Sequence, residues 1–68
     1  MKSTRHAQNL VIMVAAGGLQ EAVEMAAAFG VSPNTIRQLS VPTEQVPAQK
    51  ALIRALCAAR DATQLEMT

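Results

Sequence analysis

The chain has 68 residues, half of them apolar, with six Lys and Arg against five Asp and Glu and a formal net charge of +1. This length allows one domain with a marginal core, and the apolar content excludes intrinsic disorder. The small net positive charge excludes a polybasic protein, so any anionic partner must be attracted by basic residues grouped at one place on the surface. Because Phe29 is the only aromatic residue, Ala, Leu, Val, Ile and Met build the core, which favours helix over strand.

The first predicted element is a helix over residues 5–16. Its residues at the i, i+3, i+4, i+7 spacing of an amphipathic helix are Ala7, Leu10, Val11 and Val14. Gly17 and Gly18 end it, because glycine adopts the left-handed cap conformation without a Cβ clash. The same apolar run after a basic start also fits a signal peptide, but it is too short to cross a bilayer and is equally typical of a packed first helix.

A second helix is predicted over residues 19–29. The residues expected to face inward are Leu19, Val23, Ala26 and Ala27, with Met25 or Phe29 at the margin. Glu21 and Glu24 lie near the N-terminal end, where the helix dipole favours acids. We expect them to form a solvated helix start, because a catalytic carboxylate pair needs a cleft and a perturbing neighbour.

A third helix is predicted at about residues 33–40, beginning with Ser32 as N-cap and Pro33 at the first helical position. Two prolines make residues 40–47 a loop. The last helix is predicted over residues 47–62; the residues expected along one of its sides are Leu52, Ala55, Leu56 and Ala59. Residues 1–4 and 63–68 are expected to be flexible tails of a single domain.

Residues 20–40 meet the packing demands of a helix-turn-helix. There is a small residue four before the turn glycine, so that the second helix can cross closely, and an apolar residue just before that glycine. The turn has its glycine for positive φ and an apolar plug after it. Apolar residues follow six and nine positions later. These six positions are Ala26, Phe29, Gly30, Val31, Ile36 and Leu39.

The stretch FGVSPNTIRQLS (29–40) resembles the helix-turn-helix of bacterial and phage repressors. Over roughly residues 7–60 the layout is similar to the small Cro and YdaS-like regulators of the lambda-repressor-like class. The segments that carry this similarity are AAGG (15–18), FGVS (29–32), RQL (37–39) and QVPAQKAL (45–52). The resemblance implies an all-α, compact domain of four helices, or five. It also implies a phage- or prophage-type repressor that binds double-stranded DNA in the bacterial cytoplasm.

The resemblance places the third helix in the major groove of the DNA. The residues it implies in base contact are Ser32, Pro33, Asn34, Arg37 and Gln38. Arg37 has the fork that fits guanine O6 and N7, while Asn34 or Gln38 fits adenine N6 and N7. The residues it implies in phosphate contact are Gln20, Thr35 and Lys50, with Lys2 and Arg5 as a basic arm. A homodimer on inverted half-sites is expected, with an interface after Ala51.

An alternative is a helix-turn-helix-shaped module that binds another protein, as a phage antagonist or adaptor with little DNA affinity. Glu21 and Glu24 favour it, because they lie on the helix expected to approach phosphates. Enzyme activity is not expected, since there is no Gly-rich phosphate loop, no zinc-ligand spacing and no nucleophile beside a base. We therefore expect no cofactor, metal or small-molecule substrate. Cys57 is expected to be a small buried hydrophobe.

Overall fold

Glycines and prolines lie at the end of the first helix, at both ends of the turn between the second and third helices, and at the start of the last helix. The structure, a computed structural model, describes the backbone of residues 2–67 and the side chains of residues 5–62. Its elements are α1 (Lys2–Ala15), α2 (Leu19–Phe29), α3 (Pro33–Arg37), a 3-10 helix (Thr43–Gln45) and α4 (Val46–Met67). No strand occurs in residues 2–67, so the all-α prediction is confirmed. The Cα radius of gyration is 11.5 Å, close to the roughly 11 Å of a globular domain of this length.

Two glycines end the first two helices in the same way. Gly17 has φ +96° and Gly30 has φ +71°, a left-handed conformation that costs glycine little. After α1 the Gly18 amide donates to the Met13 carbonyl at 2.8 Å, and after α2 the Val31 amide donates to the Ala26 carbonyl at 2.9 Å. This is the Schellman cap, which satisfies carbonyls that a helix end leaves unpaired. Both predicted stops are confirmed.

The core draws on all four α-helices and on the turn between α2 and α3. Its buried residues are Ala7, Leu10, Val11, Ala22, Ala26, Val31, Ile36, Ala48, Leu52 and Leu56. The predicted stripe of α1 is confirmed, with Val14 packed at its edge. A core of this composition contains no buried polar or charged side chain among residues 5–62, so apolar burial is its main source of stability.

The buried side of α2 differs from the prediction. Ala22 and Ala26 are fully buried, whereas Leu19 and Ala27, which we expected to face inward, are exposed. The physical reason is the small size of the buried pair, four residues apart on one face. It lets α2 lie close to α1 and leaves larger side chains such as Phe29 at the margin.

Helix α3 is shorter than predicted, ending at Arg37 instead of about residue 40. Gln49 of α4 explains the early end. Its Nε2 donates to the carbonyl oxygen of Ile36 at 2.7 Å and to that of Leu39 at 3.0 Å, so a side chain from another helix satisfies these carbonyls and the chain can turn away.

Helix α3 packs against α4 and α1 rather than against α2. Within the described backbone, no Cα of α2 lies within 8 Å of a Cα of α3. The expectation that Ala26 allows α3 to cross closely over α2 is therefore wrong, although Ala26 is buried. Helix α4 begins one residue before Pro47 and continues to Met67, so the choice of helix for this segment is confirmed. The flexibility expected of residues 1–4 and 63–68 stays a prediction.

Candidate functional site

Helix α3 carries its polar side chains on the outside of the molecule. Asn34, Arg37 and Gln38 are exposed, while Ile36 on the opposite side is fully buried. Burial of this one residue fixes the rotation of the helix about its axis. The three polar side chains therefore face solvent together.

The start of α3 is set by the cap that the sequence predicts. The backbone N–H of Thr35 lies 3.4 Å from the Ser32 Oγ that accepts from it, and the two hydroxyl oxygens are 3.2 Å apart. Ser32 is exposed, whereas Pro33 and Thr35 are half-buried. Four of the five residues predicted to contact bases are thus exposed, and Pro33 is the exception.

A hydrogen bond joins two of the exposed residues of α3. Arg37 Nη1 donates to Asn34 Oδ1 at 3.1 Å, one turn earlier on the helix. This bond uses one of five guanidinium donors and leaves the NH₂ of the Asn34 side chain exposed. The pair therefore presents hydrogen-bond donors to solvent.

An open groove lies between α3 and α4, with a volume of about 610 Å³. The side chains that line it are Arg37, Gln49, Lys50, Ile53, Arg54 and Cys57. We call it the α3–α4 groove. It brings Lys50, predicted to contact phosphate, together with Arg37, predicted to contact bases. Cys57 is half-buried at this groove, rather than fully buried as expected.

Sequence reasoning missed Arg54 as a site residue. Its signal was the spacing of four residues from Lys50 on one helix, which places both side chains on the same face. Patterning alone could not show that α3 adds a third cation to this face. That juxtaposition depends on the packing of α3 against α4.

The other residues predicted to contact phosphate do not join the α3–α4 groove. Gln20 is exposed on α2 and Arg5 is exposed on α1, and neither lines it. Thr35 is engaged with Ser32. The side chain of Lys2 lies outside the part of the chain that the structure describes.

A second exposed surface follows α2. Glu21, Met25 and Phe29 lie four residues apart and so share one side of the helix, with Met25 exposed by 40% and Phe29 by 50%. The Phe29 ring stacks on His6 of α1 with centroids 4.4 Å apart and planes inclined by 17°. We call this row, together with Glu24 beside it, the outer face of α2.

Among the described side chains, no group of three or more His, Cys, Asp or Glu could hold a metal ion. In the same part of the chain, no helix has both the length and the apolar character needed to cross a membrane. Comparisons with protein-family models, curated proteins and solved structures give no match for this chain. The functional interpretation therefore depends on the exposed face of α3, the α3–α4 groove and the outer face of α2.

Proposed function

We propose that this chain is a sequence-specific DNA-binding transcriptional regulator that inserts α3 into the major groove of duplex DNA. The observation that carries the proposal is the joint exposure of Asn34, Arg37 and Gln38 on a short helix anchored by buried Ile36. Guanidinium and carboxamide groups are the side chains that read guanine and adenine edges in that groove. An α-helix that carries them on its solvent side is suited to direct readout.

The segment from α2 to α3 supports the same function. Gly30 takes the positive φ that the turn requires, Val31 is buried after it, and Ser32 caps α3. These features are the local requirements of a helix-turn-helix. The missing feature is a close crossing of α2 and α3, and here Gln49 of α4 holds α3 in its place.

The regulator acts as a homodimer in this proposal. A helix of five residues reads only a few base pairs, and paired half-sites about one helical turn apart extend the recognised sequence. Among the side chains of α4 up to residue 62, the last buried one is that of Leu56, yet the helix continues to Met67. Ala58 and Ala62 are both exposed and lie four residues apart on one face of α4, and this face is the proposed interface. Arg60 is two positions from each of them and so lies on the other side of the helix.

The test is a titration of the full chain against a library of duplexes at several salt concentrations. The account predicts enrichment of an inverted repeat. A dimer that neutralises about six phosphates gives a log–log slope of roughly −5 against salt. Arg37→Ala should lose about 1–3 kcal/mol of discrimination at one base position of each half-site.

Arg60→Ala is the matched control, because Arg60 is also exposed but lies outside the α3–α4 groove, in a second groove formed by α2, α4 and the turn that leads to Ser32 and Pro33. It should keep the wild-type base preference. If no duplex is enriched and Arg37→Ala behaves as wild type, the proposed function is wrong.

One observation favours a second candidate, a module that binds another protein. The outer face of α2 combines exposed Met25 and Phe29 with two exposed carboxylates, Glu21 and Glu24. Buried aromatic anchors within a polar rim are typical of protein interfaces. Such a module would retain DNA weakly at every salt concentration, and Phe29→Ser would abolish its partner binding.

A further inference from the structure

The positive charge of this chain is unevenly distributed. Arg37, Lys50 and Arg54 in the α3–α4 groove are three of its six Lys and Arg residues. Lys50 and Arg54 are four residues apart on α4, so their Cβ atoms are about 5–6 Å apart. All three side chains are exposed, and the groove is therefore a local positive patch on a chain of net charge +1.

No described carboxylate neutralises this patch. The described acidic side chains are Glu21, Glu24, Glu44 and Asp61, and none lines the α3–α4 groove. Asp61 shares a face of α4 with Arg54 but lies about two turns further along. Among residues 5–62, no salt bridge within 4.0 Å holds any of the three cations. Their charges are available to an external anion.

We propose that the α3–α4 groove binds the phosphodiester backbone of the DNA strand beside the bases read by α3, with Arg54 as a contact. This inference rests on the proposed function. A guanidinium pairs with two phosphate oxygens at once, while an ammonium acts as a compact point charge. Arg37 lies at the junction, because it belongs both to the exposed face of α3 and to this groove.

Phosphate contacts carry no sequence information and act through release of counterions. Removal of the Arg54 guanidinium should therefore weaken binding to every duplex by the same factor, unlike removal of a base-reading side chain. We expect Arg54→Gln to lower affinity roughly tenfold for each protomer bound, at about 0.1 M salt. It should also reduce the salt slope by about 1 for each protomer bound.

The experiment compares Arg54→Gln, Arg54→Lys and Arg60→Gln in the full chain, against a selected duplex and an unrelated duplex. Arg54→Lys keeps the charge and should keep most of the salt slope. Arg60→Gln removes the same charge from the same helix, but outside the α3–α4 groove, and should reduce the salt slope less than Arg54→Gln does. Thermal unfolding followed by circular dichroism confirms that each variant folds.

The outcomes separate this inference from the proposed function. If the wild-type chain binds duplex with Arg37-dependent base preference but Arg54→Gln keeps the full slope, the groove is not a phosphate site and the function stands. If Arg54→Gln and Arg60→Gln weaken binding equally, the loss comes from the lower positive charge of the whole chain and not from a phosphate site in the groove. If the wild-type chain binds no duplex, the proposed function itself fails. In that event, binding of an acidic peptide to the groove would identify a protein partner instead.

Discussion

Helix α2 buries a pair of small apolar side chains, whereas α3 buries one apolar side chain and is tied to α4 by one polar side chain. On the α1–α2 side, Ala22 and Ala26 are fully buried, and the contact extends to the stacked rings of His6 and Phe29. On the other side, α3 has five residues and buries only Ile36. The two hydrogen bonds of Gln49 complete its attachment.

The difference shows which contacts a substitution must remove to disturb the candidate site. Apolar packing is spread over many atoms, so a single exposed substitution removes little of it. Helix α3 is far shorter than the roughly 12–15 residues at which isolated helices become even marginal in water. Its position therefore depends on buried Ile36 and on Gln49, which lines the α3–α4 groove but is not one of the cations proposed to contact DNA.

Removal of the Gln49 side-chain amide should loosen α3 from α4. It should cause the largest loss of unfolding free energy among these substitutions. Gln49→Leu leaves the carbonyl of Leu39 without its donor and that of Ile36 with only the Leu39 amide, and we expect a loss of about 1–3 kcal/mol in unfolding free energy. Urea unfolding measures it. Amide hydrogen exchange should also accelerate at Gln38 and Leu39, which donate within the end of α3.

Gln45→Leu is the matched control for this change. Gln45 is also half-buried, but its side chain makes no hydrogen bond in the described part of the chain. Gln45→Leu should lose less unfolding free energy than Gln49→Leu and should leave amide hydrogen exchange in α3 unchanged. Equal losses for the two variants would show that Gln49 does not hold α3.

Substitution of Gly17 and Gly30 tests the positive φ that ends both α1 and α2. A Cβ at Gly17 or Gly30 would meet no atom within 4 Å, so only the left-handed backbone resists a side chain. Gly17→Ala and Gly30→Ala should each lose about 1 kcal/mol, measured by thermal unfolding.

Asn tolerates the left-handed region better than Ala, so Gly30→Asn should lose less than Gly30→Ala. A loss well above about 2 kcal/mol in Gly30→Ala would exceed the cost of a left-handed residue and mean that the turn is more tightly packed than the structure describes. Retention of full stability would mean that residue 30 does not need a positive φ.

Loss of the Ser32 cap of α3 should lower the unfolding free energy least. Ser32→Ala removes an acceptor that lies 3.4 Å from the Thr35 amide, at the long end for a hydrogen bond. We expect a loss of about 0.5 kcal/mol, the lower end for N-caps. Ser40→Ala, at an exposed serine after α3, should change the unfolding free energy less, and an equal change would argue against the cap.

Local patterns predicted the parts of the fold that depend on neighbouring residues. The apolar stripe of α1, the stops at Gly17 and Gly30, the cap at Ser32 and the helical α4 all follow from residues within a few positions of one another. The early end of α3 could not be predicted, because Gln49 comes from a separate helix. Its partners lie 13 and 10 positions away.

The candidate site also has one part that neighbouring residues predict and one part that depends on contacts between helices. Exposure of Asn34, Arg37 and Gln38 follows from the position of Ile36 on one helix, and this part was predictable. The grouping of Arg37 with Lys50 and Arg54 depends on how α3 packs on α4. The pattern also placed Ala27 inside and missed Ala22. The two are equally small, but Ala22 shares its face with Ala26 and Ala27 shares its face with Val23, so close packing favours the all-alanine pair.

Selection from one duplex library, with the wild-type chain and with Arg37→Ala, shows whether α3 reads the bases of DNA. The account predicts an inverted repeat for the wild-type chain and relaxed preference at a single position of each half-site for the variant. Arg60→Ala should select the wild-type repeat. Identical selections by the wild-type chain and Arg37→Ala, or no selection by either, would contradict recognition of DNA through α3.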